Sequence, residues 1–354
     1  MRFMGNCLSV PSNFEQDLSA IRDAVRNNRL LTMEIEFSLR CNFNCPYCYV
    51  PKADAFRDEL TPDEIRDVII QAQEMGARKI IILGGEPTIY PELMMIVGFI
   101  RSRGLQVELF TNGTGIDDEM AAFLFSKQVR VVLKMNTFDP ELQDRLSGKK
   151  GAFAVIHSAL EALRNAGYPA DEAFLAVSTV ICTPNIDELP DLWRWLRDRN
   201  IVPYFEMITP QANAVDNQWL FVEPRRVHLL FKQLAEIDRS DYNGRWDPQP
   251  PLVGNRCLRH LFSCLVTARG QVMPCVGINI PLGDIREQRL ADIVGQSKII
   301  KDLKNHRQTI KGPCRECDKA EQCYGCRGAA FQMTGDYLAS DPLCWHNCSN
   351  IDSD

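Results

Sequence analysis

Three cysteines, Cys41, Cys45 and Cys48, stand within eight positions in the stretch "CNFNCPYCYV". Thiolates at this spacing can grip a metal centre, and a tetrahedral site wants four ligands. The next cysteine is Cys182, far along the chain. The loop therefore offers three ligands and leaves a fourth position to be filled from elsewhere. A zinc site completed by a histidine is one way to fill it. The chain has only five histidines, none near in sequence, and C-x3-C-x2-C is unusual zinc spacing. An iron–sulfur centre is the other way.

A second set of thiols lies beyond residue 256. Cys257 is followed by Gly270 and Cys275, then by Cys314-x2-Cys317-x5-Cys323-x2-Cys326 and Cys344. Nine of the 14 cysteines fall in this last third, too clustered for the scattered buried thiols of an ordinary core. Two C-x2-C pairs alone would also suit a zinc ribbon. No export signal opens the chain, so C-x2-C units point to metal or iron–sulfur ligation in a reducing compartment, and the cytoplasm is the expected address.

Such loops need rigid elements behind them. From about residue 32, β-rich runs alternate with amphipathic helices. The expected strands are 32–38, 79–83, 106–110, 130–136, 173–181 and 202–208. Helix signals lie between them: "TPDEIRDVIIQAQEMG" opens on Thr61 with Pro62 at its first helical position and stops at Gly76. "YPELMMIVGFIRSRG", "DELPDLWRWLRDRN" and "EPRRVHLLFKQLAEI" have the same 3.6-residue apolar period. Six β–α units imply a parallel sheet with right-handed crossovers, and six are too few for a closed eight-fold barrel. The expected fold is α/β, a partial (β/α)6 TIM-type barrel, followed by a small cysteine-rich domain. The boundaries read as a helical lead-in over 1–29, a barrel over 30–240, and a linker plus cysteine domain over 241–354.

The cysteine loop follows the first strand, where parallel β/α folds gather their ligand sites. Net charge is −6 with no basic block, so no nucleic-acid partner is expected. Apolar runs such as "KIIIL" are strand-sized, so no membrane span is expected either.

C-x3-C-x-aromatic-C, with Tyr47 as the aromatic, resembles the signature of the radical S-adenosylmethionine (SAM) superfamily. "GGEPTIY" after the second strand is similar to that family's Gly-Gly-Glu-Pro motif, and "FTNG" after the third to another companion motif. The C-terminal array resembles the SPASM extension, supported by "GQVMPC" and "CYGCRGAA". It departs from the usual pattern in the two-residue gap between Cys323 and Cys326, where three residues are customary.

The resemblance implies three [4Fe–4S] clusters. Cys41, Cys45 and Cys48 would hold one, its fourth iron chelated by SAM. Cys257, Cys264, Cys275 and Cys326 would hold the first auxiliary cluster; Cys314, Cys317, Cys323 and Cys344 the second. Cys264 lies outside the minimal motif; without it the first auxiliary cluster has an open iron. For SAM itself it implies Gly84, Gly85, Glu86 and Pro87 at the amino group, Tyr47 near the adenine and Arg145 on the carboxylate. "KMNTFD" replaces the family's usual fourth-strand text, which leaves Lys134, Asn136 and Ser178 as ribose candidates. Glu206 is either a barrel-facing or a surface carboxylate. Cys7, Cys182 and Cys348 have no place, Cys182 reading most simply as a buried small hydrophobe.

Relatives of this architecture oxidise or crosslink peptide and protein side chains, using auxiliary clusters as electron acceptors. Others dehydrogenate small molecules or cofactor precursors. About thirty residues precede the first strand, too few for a leader-peptide domain, so a peptide would bind the barrel directly or through a separate protein. A reductant such as flavodoxin or ferredoxin is expected as partner. A non-catalytic iron–sulfur or zinc protein is the alternative of another class.

Overall fold

The computed structural model describes residues 17–50 and 57–347; Cys7 and Cys348 lie outside them. Six parallel strands form its centre: β1 Thr32–Glu36, β2 Lys79–Leu83, β3 Gln106–Thr111, β4 Arg130–Lys134, β5 Leu175–Ile181 and β6 Val202–Met207. Each neighbour pairs in parallel, and β1 and β6 do not pair, so the barrel stays open. Around it run α1 Leu18–Arg26, α2 Pro62–Glu74, α3 Leu93–Ser102, α4 Asp118–Ser126, α5 Pro140–Ser147, α6 Ala152–Ala166, α7 Leu189–Arg197 and α8 Pro224–Asp241. All six expected strands are present, most trimmed by one or two residues.

The strand period of two explains the layering. Met33, Ile35, Ile80, Ile82, Val107 and Leu109 face the helices and build the main core. The alternate positions Glu34, Lys79, Glu108 and Glu206 face the barrel interior instead. Helix α2 starts as its signals require: the Thr61 side chain accepts from Glu64 N–H while the Glu64 carboxylate accepts from Thr61 N–H. Such caps contribute about 1 kcal/mol each.

The expected break after residue 240 is not a break in the sheet. Strand β7 (Leu265–Val266) pairs in parallel with β1, and β8 (Gln271–Met273) and β9 (Gly283–Asp284) continue antiparallel from it. The free edge of β1 is thereby covered by the cysteine-rich region, which satisfies backbone groups that an open barrel leaves unpaired. Among the described residues no helix is long and apolar enough to cross a membrane.

Candidate functional site

The three-cysteine loop leaves the carboxyl end of β1 and is tied down by the loops after the neighbouring strands. Gly85 N–H donates to the Ser38 carbonyl and Glu86 N–H to that of Arg40, both at 2.8 Å. This contact requires glycine: a Cβ on Gly85 would lie 2.0 Å from the Arg40 oxygen. From the "FTNG" loop, Asn112 Nδ2 donates to Asn42 Oδ1 (3.1 Å) and reaches Cys41 Sγ at 3.8 Å. Asn44 N–H donates to the Ser147 carbonyl at the end of α5. Asn213, beyond β6, donates its side-chain amide to the Cys45 carbonyl (2.9 Å) and its N–H to that of Cys48 (3.2 Å). Asn213 has no local sequence signal, because its partner Cys45 is 168 positions away.

Within the loop, burial pushes the Cys41 thiol up to about 11 and Cys45 up to about 12, and the three thiols act on one another electrostatically. Glu86 is 3% exposed, and both its carboxylate oxygens are already bonded. It accepts from Thr88 N–H and Oγ1, from Thr111 Oγ1 and from Asn112 N–H. Its observed work is to brace the β2 and β3 loops against each other. Pro87 opens the short 3-10 turn Pro87–Ile89 that carries Thr88.

The other expected SAM contacts surround this loop. Asn136 is fully buried and donates to the Tyr47 hydroxyl at 2.8 Å, while its Oδ1 accepts from Val180 N–H. It therefore supports Tyr47. Ser178 Oγ accepts from Lys134 Nζ (3.1 Å) and donates to Glu206 Oε1 (3.3 Å). Lys134 also pairs with Glu206 at 3.5 Å and lies 5.2 Å above the Tyr47 ring. Arg145 is exposed, with its guanidinium 4.1 Å above the Trp219 ring.

A cavity of about 230 Å³ occupies the barrel interior. Tyr49, the neighbour of Cys48, and Glu206 line it, as does Cys257 of the C-terminal array. Its remaining acids are neutralised: Glu34 by Arg259 at 2.5 Å, and Glu108 by Lys79 (2.9 Å) and Arg130 (3.2 Å).

The C-terminal thiols fall into two groups. Cys326 feels the charges of Cys257 and Cys275, and Cys275 that of Cys257. Backbone contact brings their carriers together: a Cβ on Gly277 would stand 2.7 Å from Gly328 Cα, packing the turn after Cys275 against the helix after Cys326. In the second group Cys344 feels Cys314 and Cys323, and Cys323 feels Cys314 and Cys317. Among the described residues no three His, Cys, Asp or Glu side chains converge on a single ion-binding point.

Cys264, expected in the first group, stands in the main apolar core. It precedes β7 on the face of Met33, Ile35 and Val266, is 1% exposed in that apolar core, and is acted on by Glu34 and Lys304 but by no cysteine. The strand period turns it away from the interior, where Cys257 lies. Cys182 is the expected buried hydrophobe, packed with Leu146, Val180 and Ile208.

A barrel with an open thiol loop at its carboxyl face and a cysteine-rich cap is the architecture of cluster-dependent radical enzymes. Residues 35–196 match the model of the radical SAM superfamily, and residues 257–318 that of the SPASM iron–sulfur cluster-binding domain. The chain belongs to the radical SAM superfamily and is a radical SAM enzyme with a C-terminal SPASM domain. It is 29% identical to a PqqA peptide cyclase of Streptomyces rochei over 342 residues, 88% of each chain. It is 25% identical to an AdoMet-dependent heme synthase of Methanosarcina barkeri, over 87% of this chain and 94% of that one. In fold it is similar to Streptococcus suis SuiB bound to S-adenosylmethionine, at 15% identity and a TM-score of 0.71, covering 92% of this chain and 80% of that one.

Proposed function

We propose that this enzyme oxidises or crosslinks a peptide or protein side chain inside the barrel, with Cys41, Cys45 and Cys48 holding the SAM-binding cluster. The observation that carries this reading is a cavity lined both by Tyr49, beside the SAM-type loop, and by Cys257 of the first auxiliary group. A substrate there lies between a radical source and an electron acceptor. When bound, the cluster and SAM supply one-electron reduction of the sulfonium and a 5′-deoxyadenosyl radical that takes hydrogen from substrate.

The donor sets suit such clusters. Three thiols with no fourth cysteine match a centre that leaves one iron to SAM. Cys314, Cys317, Cys323 and Cys344 make a complete set, whereas Cys257, Cys275 and Cys326 make three. On this assignment Cys264 is not a ligand and the first auxiliary cluster keeps one iron without a protein thiolate. Glu86 Oε1 braces the loop through three hydrogen bonds, while Oε2, which accepts only from Asn112 N–H, keeps an acceptor site for the SAM amino group. Tyr47 borders the adenine and Asn136 holds its hydroxyl. Arg145 and Ser178 are assigned to the SAM carboxylate and ribose, and Glu206, with Lys134 beside it, is available to the substrate.

The peptide assignment is supported by the PqqA peptide cyclase and by fold likeness to peptide-bound structures. These are SuiB with precursor peptide SuiA and anSMEcpe with Cp18Cys peptide, with TM-scores of 0.70 and 0.68. A small-molecule or cofactor-precursor reaction is the second reading, supported by the heme synthase, which this chain matches over 94% of its length. Flavodoxin or ferredoxin is assigned as electron donor.

Anaerobic reconstitution tests the assignment. About twelve iron atoms per chain are expected, and reduction with dithionite in the presence of SAM should release 5′-deoxyadenosine. Absence of the nucleoside would sink the radical reading, and about four iron atoms would remove both auxiliary clusters. Cys264→Ala should keep wild-type iron content and auxiliary EPR signals; loss of about four iron atoms would restore Cys264 as a ligand. A peptide encoded beside the gene should lose two hydrogen atoms on incubation with the reduced enzyme and SAM. An unmodified peptide, with turnover of a neighbouring pathway's small molecule, favours the second reading.

A further inference from the structure

Arg327 follows Cys326 and opens the helix Arg327–Thr334, yet it is 1% exposed. Its Nη1 donates to the carbonyls of Tyr337 and Ala339, which orders the chain leading to Cys344. Its Nε and Nη2 have no partner among the described residues. Leaving buried, charged donors unused costs several kcal/mol in general, so a guanidinium in this state faces something absent from the polypeptide.

What surrounds it identifies the missing partner by charge. The Cys326 thiol belongs to the first cysteine group. Asp341, 1% exposed, accepts from Cys326 N–H at 2.7 Å, while its own N–H lies 3.4 Å from Cys314 Sγ in the second group. Asp341 is thus the joint between the two groups, and the Arg327 charge acts on it. Both Asp341 oxygens already accept backbone N–H groups, from Cys326 and Leu343. The other cation near these thiols, Arg259, is half-buried, pairs with Glu34 and acts on Cys257 and Cys275 of the first group. A Cβ on Gly325 would stand 2.9 Å from Arg327 Nη2 and 2.6 Å from Asp341 Cβ, so a cation with two open donors lies beside the joint between the two thiol groups.

We propose that Arg327 sets the reduction potential of the auxiliary clusters, holding it higher than the thiolates alone would. The proposal rests on the reading that both cysteine groups hold clusters. A thiolate-ligated cluster is anionic and becomes more so on taking an electron. A fixed positive charge and hydrogen bonds to sulfur favour the reduced form and raise the potential. Arg327 is accordingly a positioning and electrostatic residue that touches no substrate. It tunes how readily the auxiliary clusters accept the electron that substrate oxidation releases.

The test is a potentiometric titration, followed by EPR, of the anaerobically reconstituted full-length protein. Wild type, Arg327→Gln and Arg327→Lys are compared. In the Gln variant the auxiliary signals should titrate about 59 mV lower, a tenfold change in the one-electron equilibrium. Its iron content should be retained and the SAM-cluster signal unmoved. Arg327→Lys should titrate near wild type, because the charge remains. If the Gln variant loses auxiliary iron while the Lys variant keeps both iron and potential, the charge is again what the clusters require. Unchanged auxiliary potentials in the Gln variant overturn the proposal, as does equal loss of auxiliary iron in both variants, which marks a packing role. A wild-type protein with no auxiliary iron fails at the cluster assignment itself, before any variant is compared.

Discussion

Cys41→Ala, Cys45→Ala and Cys48→Ala are each expected to abolish release of 5′-deoxyadenosine from SAM while leaving the auxiliary iron bound. The loop has no spare ligand. Among the described residues the cysteine nearest in sequence is Cys182, which is fully buried in a separate apolar cluster. A two-thiolate loop cannot hold the cluster, and iron should fall from about twelve to about eight atoms per chain. The fold should survive, because the loop is held by its backbone rather than by its thiols: Asn44 N–H, Glu86 N–H and the carbonyls of Cys45 and Cys48 make the contacts. Circular dichroism and the auxiliary EPR signals should therefore match wild type. Survival of SAM cleavage in all three variants would overturn the assignment.

The strands could be read from the sequence because their signals are local. "KIIIL" and "RVVLK" carry β-branched runs, and Thr61, Pro62 and Glu64 write the start of α2 into adjacent positions. Interleaving of the two C-terminal cysteine groups was an expectation from the family resemblance and has no local signal. What stayed hidden depends on partners far apart in the chain. Glu34 and Arg259 are 225 positions apart, and neither residue alone tells a part-buried ion pair from two solvated charges. The docking of β7 on β1 was equally silent, since Leu265 and Val266 form too short a run to announce a strand. That docking also places Cys264: its distance from Cys257 in sequence suits a ligand, whereas the strand it leads into sets it in the apolar core with Met33 and Ile35. Glu86 shows the same limit on a motif that was recognised. The sequence pointed to its place beside SAM, whereas its four hydrogen-bond donors come from a turn and a strand end that only the fold assembles.

Gly85→Ala should disable the SAM site from outside the cysteine loop. The added methyl would lie 2.0 Å from the Arg40 oxygen, 2.4 Å from the Arg40 carbonyl carbon and 2.7 Å from that of Leu39. All three are backbone atoms, so no rotamer change relieves the contact; the chain leading into Cys41 must move. Movement breaks the paired hydrogen bonds from Gly85 N–H to Ser38 and from Glu86 N–H to Arg40. Each contributes about 0.5–1.5 kcal/mol. Overpacking adds roughly 1–3 kcal/mol. A lowered Tm is expected, together with loss of SAM-cluster iron and of SAM cleavage, while auxiliary iron stays. Gly98→Ala supplies the control. Gly98 lies within α3, and a Cβ there meets nothing within 4 Å. That change should raise stability by roughly 0.5–1 kcal/mol, the helical preference for alanine over glycine, and leave SAM cleavage intact. If Gly85→Ala keeps full iron and full cleavage, close packing of the β2 loop against Arg40 is not what positions the three thiols.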